Sequence, residues 1–159
     1  MKGDALSAPR VSYLIKWVER GLRLKLDAAL QEHGLSAHEY TALSVLARRD
    51  GLSSAQLARR TLVTAQAMNQ LVIALEKRGL IVRKADPEHN KIQRASLTSA
   101  GRKLVVACDR ATAPVEALLL SGLSNVETSM FREALTSCLD ALQPDFDTRK
   151  REATPATAD

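Results

Sequence analysis

Aromatic side chains make up only 3% of the 159 residues, so leucine, valine, isoleucine and alanine have to fill any core. There are two cysteines, Cys108 and Cys138, and no C-x-x-C pair or metal-ligand spacing accompanies them. Both are expected to be packing residues inside helices, a usage that fits a reducing compartment. Three histidines are present, His33 and His38 flanking Gly34 and His89 far along the chain; lacking carboxylate partners at ligand spacing, they predict no metal and no cofactor. No apolar run approaches the roughly 18 residues of a membrane span. At the N-terminus, Asp4, Arg10, Lys16, Glu19 and Arg20 interrupt the stretch where a secretory signal needs continuous apolar residues, so a cytoplasmic protein without a membrane partner is expected. Neither a Gly-rich phosphate loop nor a nucleophile, base and oxyanion set is legible, and an enzyme is not expected.

What is present is an uneven distribution of charge. The net +5 arises from three unlike segments. Residues 1–50 carry 8 Lys and Arg against 6 Asp and Glu, residues 51–103 carry 10 against 3, and residues 104–159 carry 5 against 9. A basic middle third beside an acidic final third suggests a phosphate-binding surface rather than a generally cationic protein.

Hydrophobic spacing then sets out the elements. Val11, Leu14, Ile15, Val18, Leu22, Leu26, Ala29 and Leu30 recur at intervals of three and four, predicting a helix over 11–33 that Gly34 ends. A second row, Tyr13, Trp17 and Leu24, lies on another face of this helix, so covering one row against a domain leaves the other in need of a partner. Ser36 with Glu39, Ser53 with Gln56 and Ser124 with Glu127 have the spacing of capping boxes, and Thr64 and Thr98 read as N-caps. The helix after Thr64 buries Met68, Leu71, Val72 and Leu75 and stops at Gly79. Next come LIVRKA, the turn DPEHN and KIQRASL, the pattern of a two-stranded hairpin. Pro114 is expected to kink or end the following helix. The last helix carries Val126, Met130, Phe131, Leu135, Cys138, Leu139 and Leu142 as one stripe, and residues 143–159, without periodicity, read as a flexible tail.

A short helix, a tight turn, a second helix and a basic hairpin follow one another in the order of a winged helix-turn-helix. The second helix turns Gln66, Asn69 and Gln70 outward, and these are amides where a solvated helix would carry charges. Amide groups match the donor and acceptor pairs on base edges in the major groove, with a preference for adenine. Ser54, Arg59, Arg60 and Thr64 stand where phosphates would be held, and Arg83, Lys84, Lys91 and Arg94 run along the hairpin. The hairpin cations also admit a plainer reading as solvated strand charges that block edge pairing.

The blocks LARRTLVTAQAMNQLVIALEKRGL and DPEHNKIQRASLTSAG resemble the MarR family of bacterial transcriptional regulators, and the resemblance spans residues 10–142. It implies a mainly α fold with a DNA-binding lobe over about 36–98 and a two-stranded wing. The helices of 10–33 and 99–142 would dimerise two copies on an inverted-repeat operator, with half-sites roughly 10 base pairs apart. It further implies repression relieved by a small, often aromatic, ligand, with Tyr13, Trp17, His38 and Tyr40 as pocket candidates, although core or dimer packing suits each equally. The sequence departs from the family at the wing tip, where His89, Asn90 and Lys91 replace a frequent Asp-Arg-Arg. Two alternatives stay open: a winged helix used for protein contact, and a regulator that senses oxidants through cysteine.

Overall fold

The computed structural model describes residues 8–142, and the expected tail at 143–159 lies outside them. The architecture is mainly helical with one small sheet. In chain order it comprises α1 (Val11–Leu30), a 3-10 turn (Gln31–His33), α2 (Ala37–Arg48), β1 (Leu52–Ser53), α3 (Ser54–Thr61), α4 (Ala65–Lys77), β2 (Ile81–Ala85), β3 (Gln93–Leu97), α5 (Ser99–Leu120) and α6 (Asn125–Leu142). The chain divides into two units at Leu119–Leu120, and α6 belongs to the second.

The local signals act where the side-chain chemistry requires. Ser36 Oγ accepts the N–H of Glu39 at 3.3 Å while the Glu39 carboxylate accepts the N–H of Ser36 at 2.8 Å. Ser53 and Gln56 reproduce the exchange at 3.2 and 2.9 Å, and Ser124 and Glu127 at 3.3 and 2.8 Å. Thr64 Oγ1 accepts the N–H of Ala67 at 3.1 Å, and Thr98 Oγ1 that of Gly101 at 3.1 Å. Each bond satisfies a backbone donor that the first helical turn leaves without a partner. Gly34, at φ 64°, supplies the left-handed residue after the 3-10 turn. Its carbonyl accepts from Arg78 at 2.9 Å, and the same guanidinium reaches Glu39 at 3.2 Å, which ties the α1–α2 corner to the end of α4.

The core is aliphatic, as the shortage of aromatics required. Leu30, Leu43, Leu46, Leu57, Met68, Val72, Leu75 and Cys108 are completely buried. Cys138, by contrast, is exposed on α6, so the expectation of two buried cysteines is half wrong. Most of its stripe is exposed too: α6 has no fully buried residue, Leu139 is half-buried, and Val126, Met130 and Leu142 are 70%, 63% and 81% exposed.

The structure refines three further expectations. The wing is the expected hairpin of β2 and β3, and β1 adds a third strand that the sequence reading did not contain, pairing antiparallel with β3 (Leu52 opposite Ala95, Ser53 opposite Arg94) in a sheet ordered β1-β3-β2. A two-residue strand has no alternation to read, and its partner lies some forty positions away. Pro114 does not end α5, which continues through it to Leu120. Proline withholds one N–H, and turns on either side keep the helix going. Along α1 the first apolar row reaches the core only at its C-terminal end: Leu30 is buried and Leu22, Leu26 and Ala29 are half-buried, whereas Val11, Leu14, Ile15 and Val18 are exposed. Among the described residues no helix is long and apolar enough to cross a membrane, and no cluster of His, Cys, Asp or Glu could hold a metal ion.

Candidate nucleic-acid interface

Helices α3 and α4 meet through a three-residue turn in which Leu62 adopts a left-handed conformation, φ 59°. The N–H groups of Leu62 and Val63 both close onto the carbonyl of Ala58, which ends α3 within one turn and redirects the chain. Leu57, Ala58, Met68, Val72 and Leu75 fill the space between and beneath the two helices. Burial of Met68, Val72 and Leu75 at i, i+4 and i+7 fixes the rotation of α4 about its axis. Gln66, Asn69 and Gln70 therefore share the opposite, exposed face at i, i+3 and i+4. Thr64 spends one acceptor on the cap and stays exposed at the same end of the helix.

The cations beside this face divide into two kinds. Arg83 grips Glu76 of α4, donating from Nη2 at 2.6 Å and Nε at 2.9 Å, while its backbone N–H donates to the other carboxylate oxygen at 3.2 Å. Those bonds hold the Glu76 carboxyl below the usual carboxylate range and fasten β2 to the end of α4. Arg94 is committed too, to the Asp86 carboxylate and to the carbonyl of Gly51. Lys84 and Lys91 are exposed and, among the described residues, belong to no ion pair. The four hairpin cations are alike in sequence, whereas folding commits two of them to carboxylates.

At the end of α3, Arg59 is exposed and Arg60 half-buried, and Ser54 is half-buried in the first turn. Burial first, then the like charges of Arg49 and Arg59, push the Arg60 guanidinium down from its ordinary value. Arg49, just past α2, is a further cation that the sequence pattern did not single out; the run Arg48-Arg49 is its only signal, and nothing local shows that it shares a field with α3. Crowded guanidinium groups of this kind gain from an anion placed among them. His89 and Asn90 are exposed at the wing tip.

The four pocket candidates lie on two helices, α1 and α2. Tyr13 and Trp17 are 53% and 62% exposed on α1, and His38 is exposed on α2. Tyr40 reaches α5, where its hydroxyl donates to Asp109 at 2.6 Å and accepts from Thr112 at 3.3 Å. Burial, then the Asp109 carboxylate, raises the Tyr40 phenol. A separate apolar groove of about 210 Å³ lies between α1 and α5, lined by Val18, Gly21, Leu22, Lys25, Val115, Leu118 and Leu119, and includes none of the four.

Residues 33–92, which contain α2 through the wing turn, match the sequence profile of the MarR family. The HTH-type transcriptional repressor Rv2887 of Mycobacterium tuberculosis is 35% identical over 133 residues, covering 84% of this chain and 95% of that protein. The chain belongs to the MarR family. Two solved structures of Rv2887 align with it at 32% identity and a TM-score of 0.67. The complex with DNA covers 82% of this chain and 98% of that one; the complex with salicylic acid covers 83% and 98%. The MarR-family fold thus accounts for α3, α4 and the wing as one winged helix-turn-helix.

Proposed function

We propose that the protein is a cytoplasmic, homodimeric DNA-binding repressor whose affinity for an inverted-repeat operator falls when a small aromatic acid binds. The observation that carries this reading is the exposed amide face of α4, held in place by a buried apolar face and flanked by the cations of α3 and the wing. Gln66, Asn69 and Gln70 read base edges, while Ser54, Arg59, Arg60, Thr64, Lys84 and the wing tip hold the backbone. That recognition face is neither acidic nor apolar, which disfavours use as a protein-docking module. The complexes of Rv2887 with DNA and with salicylic acid support the operator and the effector class.

Dimerisation through α1, α5 and α6 is supported by the uncovered apolar side chains of α1 and α6, which a second copy would bury. Effector control follows if the ligand favours a dimer geometry in which the two α4 helices no longer match the half-site spacing. Such a ligand must bind that geometry more tightly than the DNA-bound one. The test is selection of duplexes from a random-sequence pool, then binding of the enriched duplex at several salt concentrations with and without salicylate. Enrichment of an inverted repeat, a steep salt dependence and release by salicylate are expected. A protein that enriches no sequence is not a specific repressor.

A further inference from the structure

The wing tip is built around one carboxylate. Asp86, 2% exposed, accepts the N–H of Glu88 at 2.8 Å and of His89 at 2.9 Å, and it pairs with Arg94. Arg94 lies on the central strand, opposite Lys84 on one side and Ser53 on the other, and its Nη1 donates to the carbonyl of Gly51 at 2.9 Å. Two backbone bonds close the same turn, from the Asp86 N–H to Ile92 at 2.8 Å and from the Ile92 N–H to His89 at 2.7 Å. One guanidinium thus joins the lead into β1, the strand β3 and the tip turn. A buried carboxylate is tolerated only when paired and hydrogen-bonded, so the tip keeps this shape while Arg94 stays on Asp86.

We infer that Asp86 and Arg94 are positioning residues for DNA binding: they latch the tip turn to the sheet so that Lys91, rather than Arg94, is the cation the wing offers to the duplex. This deepens the repressor reading and rests on it. The latch makes a prediction opposite in sign to simple electrostatics. Removing a carboxylate near phosphates should tighten binding if charge alone matters, whereas opening the latch should weaken it.

The experiment measures binding of Asp86→Ala, Lys91→Ala, the double variant and Arg94→Lys to the duplex that the unmodified protein enriches from a random pool. Counterion release gives a salt slope of about 0.9 per neutralised phosphate, equivalent at 0.1 M salt to about eightfold in affinity. Asp86→Ala is expected to weaken binding by about that factor for each phosphate the wing lets go, and to lower the slope by about 0.9 for each. Adding Lys91→Ala should then cost nothing more, since the lysine is already displaced. Arg94→Lys keeps the charge but not the fork that spans Asp86 and Gly51, so it should weaken binding as Asp86→Ala does. In the free protein, amide exchange at Glu88 and His89 should accelerate in both latch variants while exchange in α4 stays unchanged. Equal or tighter binding by Asp86→Ala overturns the inference, as does an equal effect of Lys91→Ala in both backgrounds or unchanged exchange at the tip. Failure of the unmodified protein to enrich any duplex refutes the repressor reading itself, and this inference with it.

Discussion

Replacing Gly101 with alanine tests how tightly the winged lobe is joined to α5. A Cβ at this position would lie 2.1 Å from the carbonyl oxygen of Leu80, 3.1 Å from its carbon and 3.2 Å from Cδ2 of Leu97, where real Cβ atoms essentially never approach within 3.0 Å. The nearest atom is backbone and cannot rotate aside, so the first turn of α5 has to retreat from the start of β2 by close to 1 Å. Two of the hydrogen bonds at risk cross that junction, the Thr98 N–H to Leu80 at 3.1 Å and Thr98 Oγ1 to the Gly79 carbonyl at 2.7 Å, and a third, the Gly101 N–H to Thr98 Oγ1 at 3.1 Å, caps α5 beside it. Overpacking costs about 1–3 kcal/mol and loss of a cap about 1 kcal/mol. Alanine recovers about 1 kcal/mol through its higher helix propensity. The balance is a net destabilisation of about 1–3 kcal/mol, with the clash outweighing propensity. Urea unfolding at several protein concentrations measures it, because the stability of a dimer depends on concentration. A lower midpoint at unchanged slope is expected; a midpoint equal to or above that of the unmodified protein refutes the reasoning.

Other perturbations address the recognition surface and the titrating groups. Asn69→Ala should abolish discrimination at one base position in each half-site, worth about 1–3 kcal/mol, without moving the salt slope; competition with singly substituted duplexes measures this, and unchanged discrimination removes Asn69 from the base-reading set. Arg83 lowers the Glu76 carboxyl from its ordinary value of 4.5, so this pair adds stability above that pH and loses it as the pH falls through the lowered folded value. Glu76→Gln should therefore flatten the acid limb of melting temperature against pH, and parallel curves for the two proteins would count against the pairing. Cys108 is fully buried, and burial raises its thiol, so at most one cysteine per chain should react with a thiol reagent before denaturant is added. Two fast thiols would contradict that packing.

Much of this protein is legible from neighbours along the chain. Capping boxes span four residues, helix stripes repeat within two turns, and the amide face of α4 follows from which of its residues are apolar. All of these depend on side chains that meet because the backbone between them is short and regular. What tertiary structure alone decides is who pairs with whom across the chain. Arg83, Lys84, Lys91 and Arg94 look equivalent in sequence; folding brings Glu76 to the first and Asp86 to the last, and leaves the two lysines exposed. The same holds for β1, whose two residues gain a strand only because β3 runs beside them, and for Arg49, which shares a field with α3 only once α2 has packed. The reason is physical: a charge or a strand edge carries no record of its partner. Whether a group seven or eight residues away, as in the two ion pairs, or some forty away, as for β1 and β3, comes within reach is set by how the elements pack, which no local pattern encodes.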